Sequence, residues 1–349
     1  MSRVYLDWNA TAPLRPEARA AMADAMDVTG NPSSVHAEGR AAKMLLERCR
    51  DTVAQALGAA SAEIIFTSGA TESAALILAG RGLACAGVEH DCVRAWCDET
   101  LTTDGDGHVT VPAPASATVQ LANSETGVIQ DLPQGLAVSD LTQGFGKIPF
   151  AFDWLGIEAG FVSAHKLGGP RGVGALILRR GTEVEARIRG GGQEQGRRAG
   201  TENLVGIAGF AAAAAAAQDD LASGIADRQT ELRNRLENAL EIADGNAMFL
   251  GRNARRLPQT LAILTPGWKG ETQVMQMDLA GYAVSAGSAC SSGKVRPSGV
   301  LRAMGVPEVD ASCAMRVSFG RDTTAEELDG FAEAWLTAHG RWRSKQGKI

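Results

Sequence analysis

The sequence predicts an α/β protein, with a mainly parallel sheet in the first two-thirds and a smaller α+β region after it. Three observations carry this. Short apolar runs alternate with stretches of helical periodicity, as in sheets crossed by helices. Hydrophobic residues make up 45% of the 349-residue chain, enough for a sizeable core. At about 150 residues per domain, that length suits roughly two domains.

The elements follow in order. Glu63–Thr67 reads as a strand, Ser68-Gly69-Ala70 as a turn, and Thr71–Leu78 as a helix. Thr118–Ala122, Gly160–Ser163 and Gly174–Leu178 read as further strands. Residues 202–217 read as one helix and 218–242 as a second, whose charges (Asp227, Arg228, Glu231, Arg235, Glu237) suit a solvated helix bridging two domains. Then come a strand (Gln259–Leu264), a helix (Glu271–Leu279), a strand (Tyr282–Ser285) and a small polar loop around Cys290. A helix (Gly299–Met304), a strand (Met315–Phe319) and an amphipathic helix (Ala325–Ala338) follow, and residues 340–349 are expected to fray.

A net charge of −6 argues against a nucleic-acid-binding surface. The N-terminus shows no apolar leader pattern, and the alanine-rich run Gly206–Ala217 is short of the about 20 residues a membrane span needs. A soluble, cytoplasmic protein with no membrane partner is expected. The six cysteines include no CxxC pair. Cys85, Cys92 and Cys97 lie near His90 but match no common zinc spacing, so buried small side chains are expected there and no metal.

Two stretches carry reactive groups. Ser163-Ala164-His165-Lys166 puts a lysine at the end of an apolar run and before a Gly-Gly-Pro turn. Burial there would lower its pKa and make the amine nucleophilic, able to form a Schiff base with an aldehyde cofactor. Gly287 to Gly293 puts the Cys290 thiol in a small, polar loop. The strand-to-helix turn at Thr67–Thr71 offers helix N–H groups and glycine to a phosphate.

Ten such pieces occur in one order. They include Tyr5–Pro13, Gly30–Ser34, Phe66–Ser73, Glu89-His90, Glu125–Gln130, Asp140–Gln143, Ser163–Gly174, Gly190–Asn203, the Cys290 loop and Arg316–Arg321. Through them the chain resembles the pyridoxal-phosphate cysteine desulfurases of the NifS/IscS type, in the class V aminotransferase family, across nearly its whole length. The resemblance implies a fold type I transferase, with a seven-stranded, mainly parallel sheet in a large domain (14–225) and a small domain (1–13 and 226–349) carrying the cysteine loop. It implies that Lys166 holds pyridoxal 5'-phosphate and moves the substrate Cα proton. Asp140 would pair with the pyridine nitrogen, Gln143 with the phenolic oxygen, and His90 would stack on the ring. Ala70, Thr71, Ser163 and His165 would take the phosphate, and Thr201 would reach the phosphate of a second subunit in a homodimer. Arg316, Asn31 and Ser124 would face the substrate, L-cysteine. Cys290 would receive its sulfur as a persulfide, for a sulfur-acceptor protein in iron–sulfur assembly or thio-modification.

Three departures from the family pattern stand out. Ser124 replaces a second asparagine, the large-domain intervals before Asp140 are shortened, and, with the sequence stopping soon after the Ala325–Ala338 helix, the scaffold docking that longer members make through a C-terminal tail is not expected. Two other readings stay open: a selenocysteine lyase or other enzyme of the same class, and a low-activity, partner-binding subunit.

Overall fold

The computed structural model describes residues 3–243, 247–287 and 297–346. Seven segments form the large sheet, in the spatial order Ala62–Thr67, Gly174–Arg179, Ala159–Ser163, Val138–Asp140, 117–122, Ala84–Ala86 and Asp98–Leu101. Gly174–Arg179 runs antiparallel to both its neighbours, and the other six run the same way, so the sheet is mainly parallel as expected. Ala159–Ser163 is buried at every residue, as a strand covered on both faces must be.

The 117–122 segment departs from the strand expected at Thr118–Ala122. It bonds on both sides, with Thr118 N–H on the Ala84 carbonyl (2.9 Å) and Leu121 N–H on the Asp140 carbonyl (2.8 Å). Between them, the Gln120 N–H is taken by the Glu89 carboxylate (2.7 Å) instead of a strand neighbour, so the ladder breaks into isolated bridges.

Helices cover both faces. On one, Pro16–Met26, Ala37–Ala56 and Leu204–Ala222 pack around Phe66, Phe145 and Phe210, whose rings meet edge to face. Ala70–Leu78 covers the other, with Ile77 and Leu78 against Ile65, Phe161 and Leu176. Leu204–Ala222 is long and apolar enough to cross a membrane, but here it packs against the other two helices of its face. It runs five residues past the expected break at 217. The chain turns instead at Ser223-Gly224, where Gly224 takes φ +85°, and the next helix is Ile225–Ala243.

A second core lies in the C-terminal part. The strands Ser285–Ala286, Ala314–Ser318, Thr260–Leu264 and Met248–Phe249 form an antiparallel sheet in that order. Leu261, Ile263, Met315 and Val317 pack there with Trp268, Phe331 and Trp335, and Leu6 joins them from the N-terminus. The single strand expected at Tyr282–Ser285 is two short ones: Tyr282–Ala283 pairs with Val4–Tyr5, and Ser285–Ala286 pairs with Ala314–Ser318. The last helix spans Ala325–Gln346, so most of the segment expected to fray is helical. Trp342 explains this: it stacks on Trp268 at 5.6 Å and so anchors the extra turns to the core.

Candidate active site

The sheet delivers its functional residues at one edge. Thr67, Ser163 and Asp140 each end a strand, and Ala122 ends the bridged segment between them and Ala84–Ala86. The loops that follow carry Ser68–Thr71, Lys166, Gln143, Ser124 and His90. In parallel α/β sheets this carboxyl edge is where ligands bind.

The turn after Thr67 is built tightly. Gly69 sits at φ +153° as the N-cap of Ala70–Leu78. A Cβ on Gly174 would lie 2.6 Å from the Gly69 Cα and 2.5 Å from the Val162 carbonyl, so strand and turn pack backbone to backbone. The Thr67 hydroxyl bonds Ser73 Oγ (2.7 Å), and Ser68 N–H donates to Glu72 Oε2 (2.8 Å). Thr71 stands exposed on the first helical turn, and the buried Ser163 hydroxyl lies opposite, 3.5 Å from where a Gly69 Cβ would be. Free helix N–H groups and hydroxyls around a glycine form a cradle for an anion.

Next to it, the Lys166 amine donates to the carbonyls of Asn9 (2.8 Å) and Ala10 (3.0 Å). Burial and then the Arg316 charge push its pKa down to about 8, against the pull of Asp140 and Asp7. His165 bonds Thr11 Oγ1 through Nδ1 (3.0 Å), and burial with the Lys166, Arg171 and Lys147 charges pushes it down to about 4. The ring is therefore neutral near pH 7. Asp140 is buried, and Oδ1 accepts the Thr142 N–H (2.9 Å). Burial raises its pKa, while Thr142, His90 and Lys166 work against the rise. Gln143, also buried, donates Nε2–H to the Asn9 carbonyl (3.1 Å) and accepts from Lys147 Nζ.

His90 caps the short helix Asp91–Arg94, accepting the Cys92 N–H on Nδ1 (3.1 Å); the residue is exposed and near enough to Asp140 to bear on its charge. Arg316 is 7% exposed. It donates to Asp7 Oδ1 (2.7 Å) and to the Ser124 carbonyl (2.9 Å), and its buried Nε has no hydrogen-bond partner among the described residues. Ser124 thus meets the site through its backbone. Asn31 lies in an exposed turn, where Oδ1 accepts the Ser33 N–H (2.9 Å); no described contact joins it to the cluster. Thr201 is exposed and lines a cavity of about 240 Å³ with Thr67, Ser68, Arg198 and Glu194 of the same chain. Cys290 lies outside the described residues.

The structure adds residues that the motifs did not single out. Asn9 bonds Lys166 and Gln143 through its carbonyl, and Ser124, Thr260, Lys147 and Gln259 through its side chain. Its place in the Tyr5–Pro13 motif was the available signal. Lys147 gave none beyond standing four residues after Gln143. Glu194 is buried at φ +46°, and its carboxylate holds Arg50 (2.7 and 3.0 Å) and the Phe66 N–H (3.0 Å).

A lysine with a lowered pKa, a buried carboxylate and an anion cradle at adjoining strand ends define a class, and the comparisons agree: the chain belongs to the aminotransferase class-V family, which matches residues 4–93 and 98–331. It is similar to a cysteine desulfurase of Cereibacter sphaeroides, at 39% identity over 95% of each chain. An IscS-like cysteine desulfurase of Mycobacterium tuberculosis is 35% identical over 97% of each. Among solved structures, a NifS-like protein from Rickettsia africae superposes with a TM-score of 0.89 at 31% identity, covering 97% of this chain and 99% of the other. SspA, solved in complex with cysteine, gives 0.72 at 26% identity over 92% of this chain and 100% of that one.

Proposed function

We propose that the protein is a cysteine desulfurase that uses pyridoxal 5'-phosphate to convert L-cysteine to L-alanine, leaving the sulfur as a persulfide on Cys290. The observation that carries this is the Lys166 amine, pushed down to about 8 and set within the influence of the buried Asp140 carboxylate. The residues present fit the cofactor. The close Gly69–Gly174 packing leaves a cradle of helix N–H groups, Thr71 and Ser163 for its phosphate. His165, neutral and two residues after Ser163, would add a ring N–H for the phosphate. Asp140 suits a pyridinium nitrogen, Gln143 a phenolic oxygen, and the His90 ring a flat aromatic face.

When bound, the cofactor supplies an electron sink that acidifies the Cα–H of an attached amino acid. Lys166 would hold it through Nζ, and the same amine would be the base that removes and returns that proton. Asp140 stays ionised against a cationic partner and so keeps the sink effective. The Arg316 guanidinium, held in place by Asp7 and the Ser124 carbonyl, would supply the positive charge for the substrate carboxylate. The Cys290 thiolate attacks the substrate sulfur. The S–S bond forms as the Cβ–S bond breaks, and the carbon product takes up protons to leave as alanine.

Several further points belong to this reading. The division into a large unit (14–225) and a small one (1–13 with 226–349) is supported by the separate cores, the second of which includes Leu6. A homodimer in which the exposed Thr201 reaches the phosphate of a second subunit belongs to the same reading. A reducing compartment such as the cytoplasm suits the five described cysteines, all free. The next step is transfer of the persulfide sulfur to an acceptor protein.

The test is direct. The purified protein should be yellow with the cofactor and should release alanine from cysteine, with sulfide when a thiol is added. Cys290→Ser should stay yellow but lose alanine and sulfide production. A yellow protein that only transaminates, or one that turns over equally well as Cys290→Ser, would overturn the reading.

A further inference from the structure

Lys147 is a charged side chain that the mechanism above does not use. It lies on the turn that begins at Asp140, four residues after Gln143. Its amine donates to Asn9 Oδ1 (3.1 Å) and to Gln143 Oε1. Both acceptors belong to buried residues. Among the described residues, no carboxylate lies within ion-pair distance of it, and the charges that bear on it are those of Lys166 and Arg316, of its own sign. Burial and these charges push its pKa well below the ordinary lysine value. A methionine would fill much the same space without that cost. What the lysine adds is a pair of N–H donors, which a neutral amine also has.

Those donors decide which way two amides face. Gln143 turns its oxygen to Lys147 and its NH₂ group to the Asn9 carbonyl, the same carbonyl that accepts the Lys166 amine. A flipped Gln143 would set NH₂ against the amine donors and oxygen against the carbonyl, losing both bonds. Asn9 is fixed in the same way: Oδ1 accepts from Lys147 and Gln259, and Nδ2 donates to Thr260 Oγ1 and the Ser124 carbonyl.

We infer that Lys147 is a positioning residue, which holds the Gln143 amide with its N–H donors toward the Asn9 carbonyl on which Lys166 rests. The inference rests on the reading of this cluster as the cofactor site. It gives Lys147 no contact with the reacting atoms, so its effect must pass through Gln143.

A double-variant cycle tests this. Apoprotein is titrated with pyridoxal 5'-phosphate, following the visible band, for the unaltered chain, Lys147→Met, Gln143→Ala and the double variant. Each single change should weaken cofactor binding about tenfold, the size of one or two neutral hydrogen bonds, and move the band in the same direction. The double variant should be no weaker than Gln143→Ala, while the melting temperature of apo Lys147→Met stays level or rises. Lys147→Gln, which keeps an N–H donor, should bind more tightly than Lys147→Met and takes its place if that variant does not fold. Losses that multiply, binding and band unchanged in Lys147→Met, or a fall in melting temperature alone would overturn the inference. If the unaltered chain takes up no cofactor, the functional reading falls and this inference with it. If it does and Lys147→Met behaves identically, this inference alone falls.

Discussion

Lys166 shows how the surroundings set the chemistry of one side chain. An exposed lysine is a solvated cation, but here burial first and Arg316 second bring its pKa to about 8. Only the neutral amine can attack an aldehyde. The rate at which apoprotein captures the cofactor should therefore rise with pH around a midpoint near 8, read by stopped-flow absorbance. Arg316→Gln removes a charge that opposes protonation, so its midpoint should move upward. A rate still climbing toward an ordinary lysine value in the unaltered chain would contradict this, as would an unmoved midpoint in the variant. His165 carries the opposite lesson for acid. Its pKa is lowered from the usual 6.5 to about 4, so between those values the unfolded chain binds more protons and the site loses stability as pH falls.

At the scale of elements, the glycine-rich loop that presents Thr201 is held by ion pairs. Glu194 takes Arg50 with two bonds and the Phe66 N–H, Arg197 pairs with Glu63, and Arg198 with Glu72. The last two, with the Phe66 bond, tie the loop to the strand and helix that flank the phosphate turn, and Arg50 ties it to the helix Ala37–Ala56. The Glu194 carboxylate is 2% exposed, so Glu194→Ala leaves the Phe66 N–H without its acceptor and Arg50 with only Glu47 and the Ile64 carbonyl. It should cost about 1–3 kcal/mol in denaturant unfolding and loosen cofactor retention. A loss within experimental error would mean that the loop is held some other way. The loop motif was visible in the sequence, but its clamp was not, because Arg50 stands 144 residues away. Local pattern served well where the local pattern rules: Glu63–Thr67 and Thr71–Leu78 shift by a residue or less at either end. It failed where a distant group competes. The Glu89 carboxylate breaks the ladder of 117–122, and Trp268 keeps residues 340–346 helical through Trp342.

At the scale of the whole molecule, the site is assembled across a polar seam. Asp7, Asn9 and Arg316 meet Ser124, Gln143, Lys147 and Lys166 there through hydrogen bonds between segments far apart in sequence. The motifs named most of the large-sheet side of this seam, because a strand end followed by a functional residue is a local pattern. They left Lys147 and the amide of Asn9 unread, since their roles come from which groups the fold brings opposite them. The two lysines also make the central claim open to a sharp test. Both amines lie beside Asn9, both are depressed by burial, and the account assigns the covalent link to Lys166 alone. Borohydride reduction of the cofactor-loaded protein, followed by digestion and peptide mass spectrometry, should place the reduced cofactor on Lys166 and leave Lys147 unmodified. A cofactor found on Lys147, or on neither of these lysines, would contradict the account.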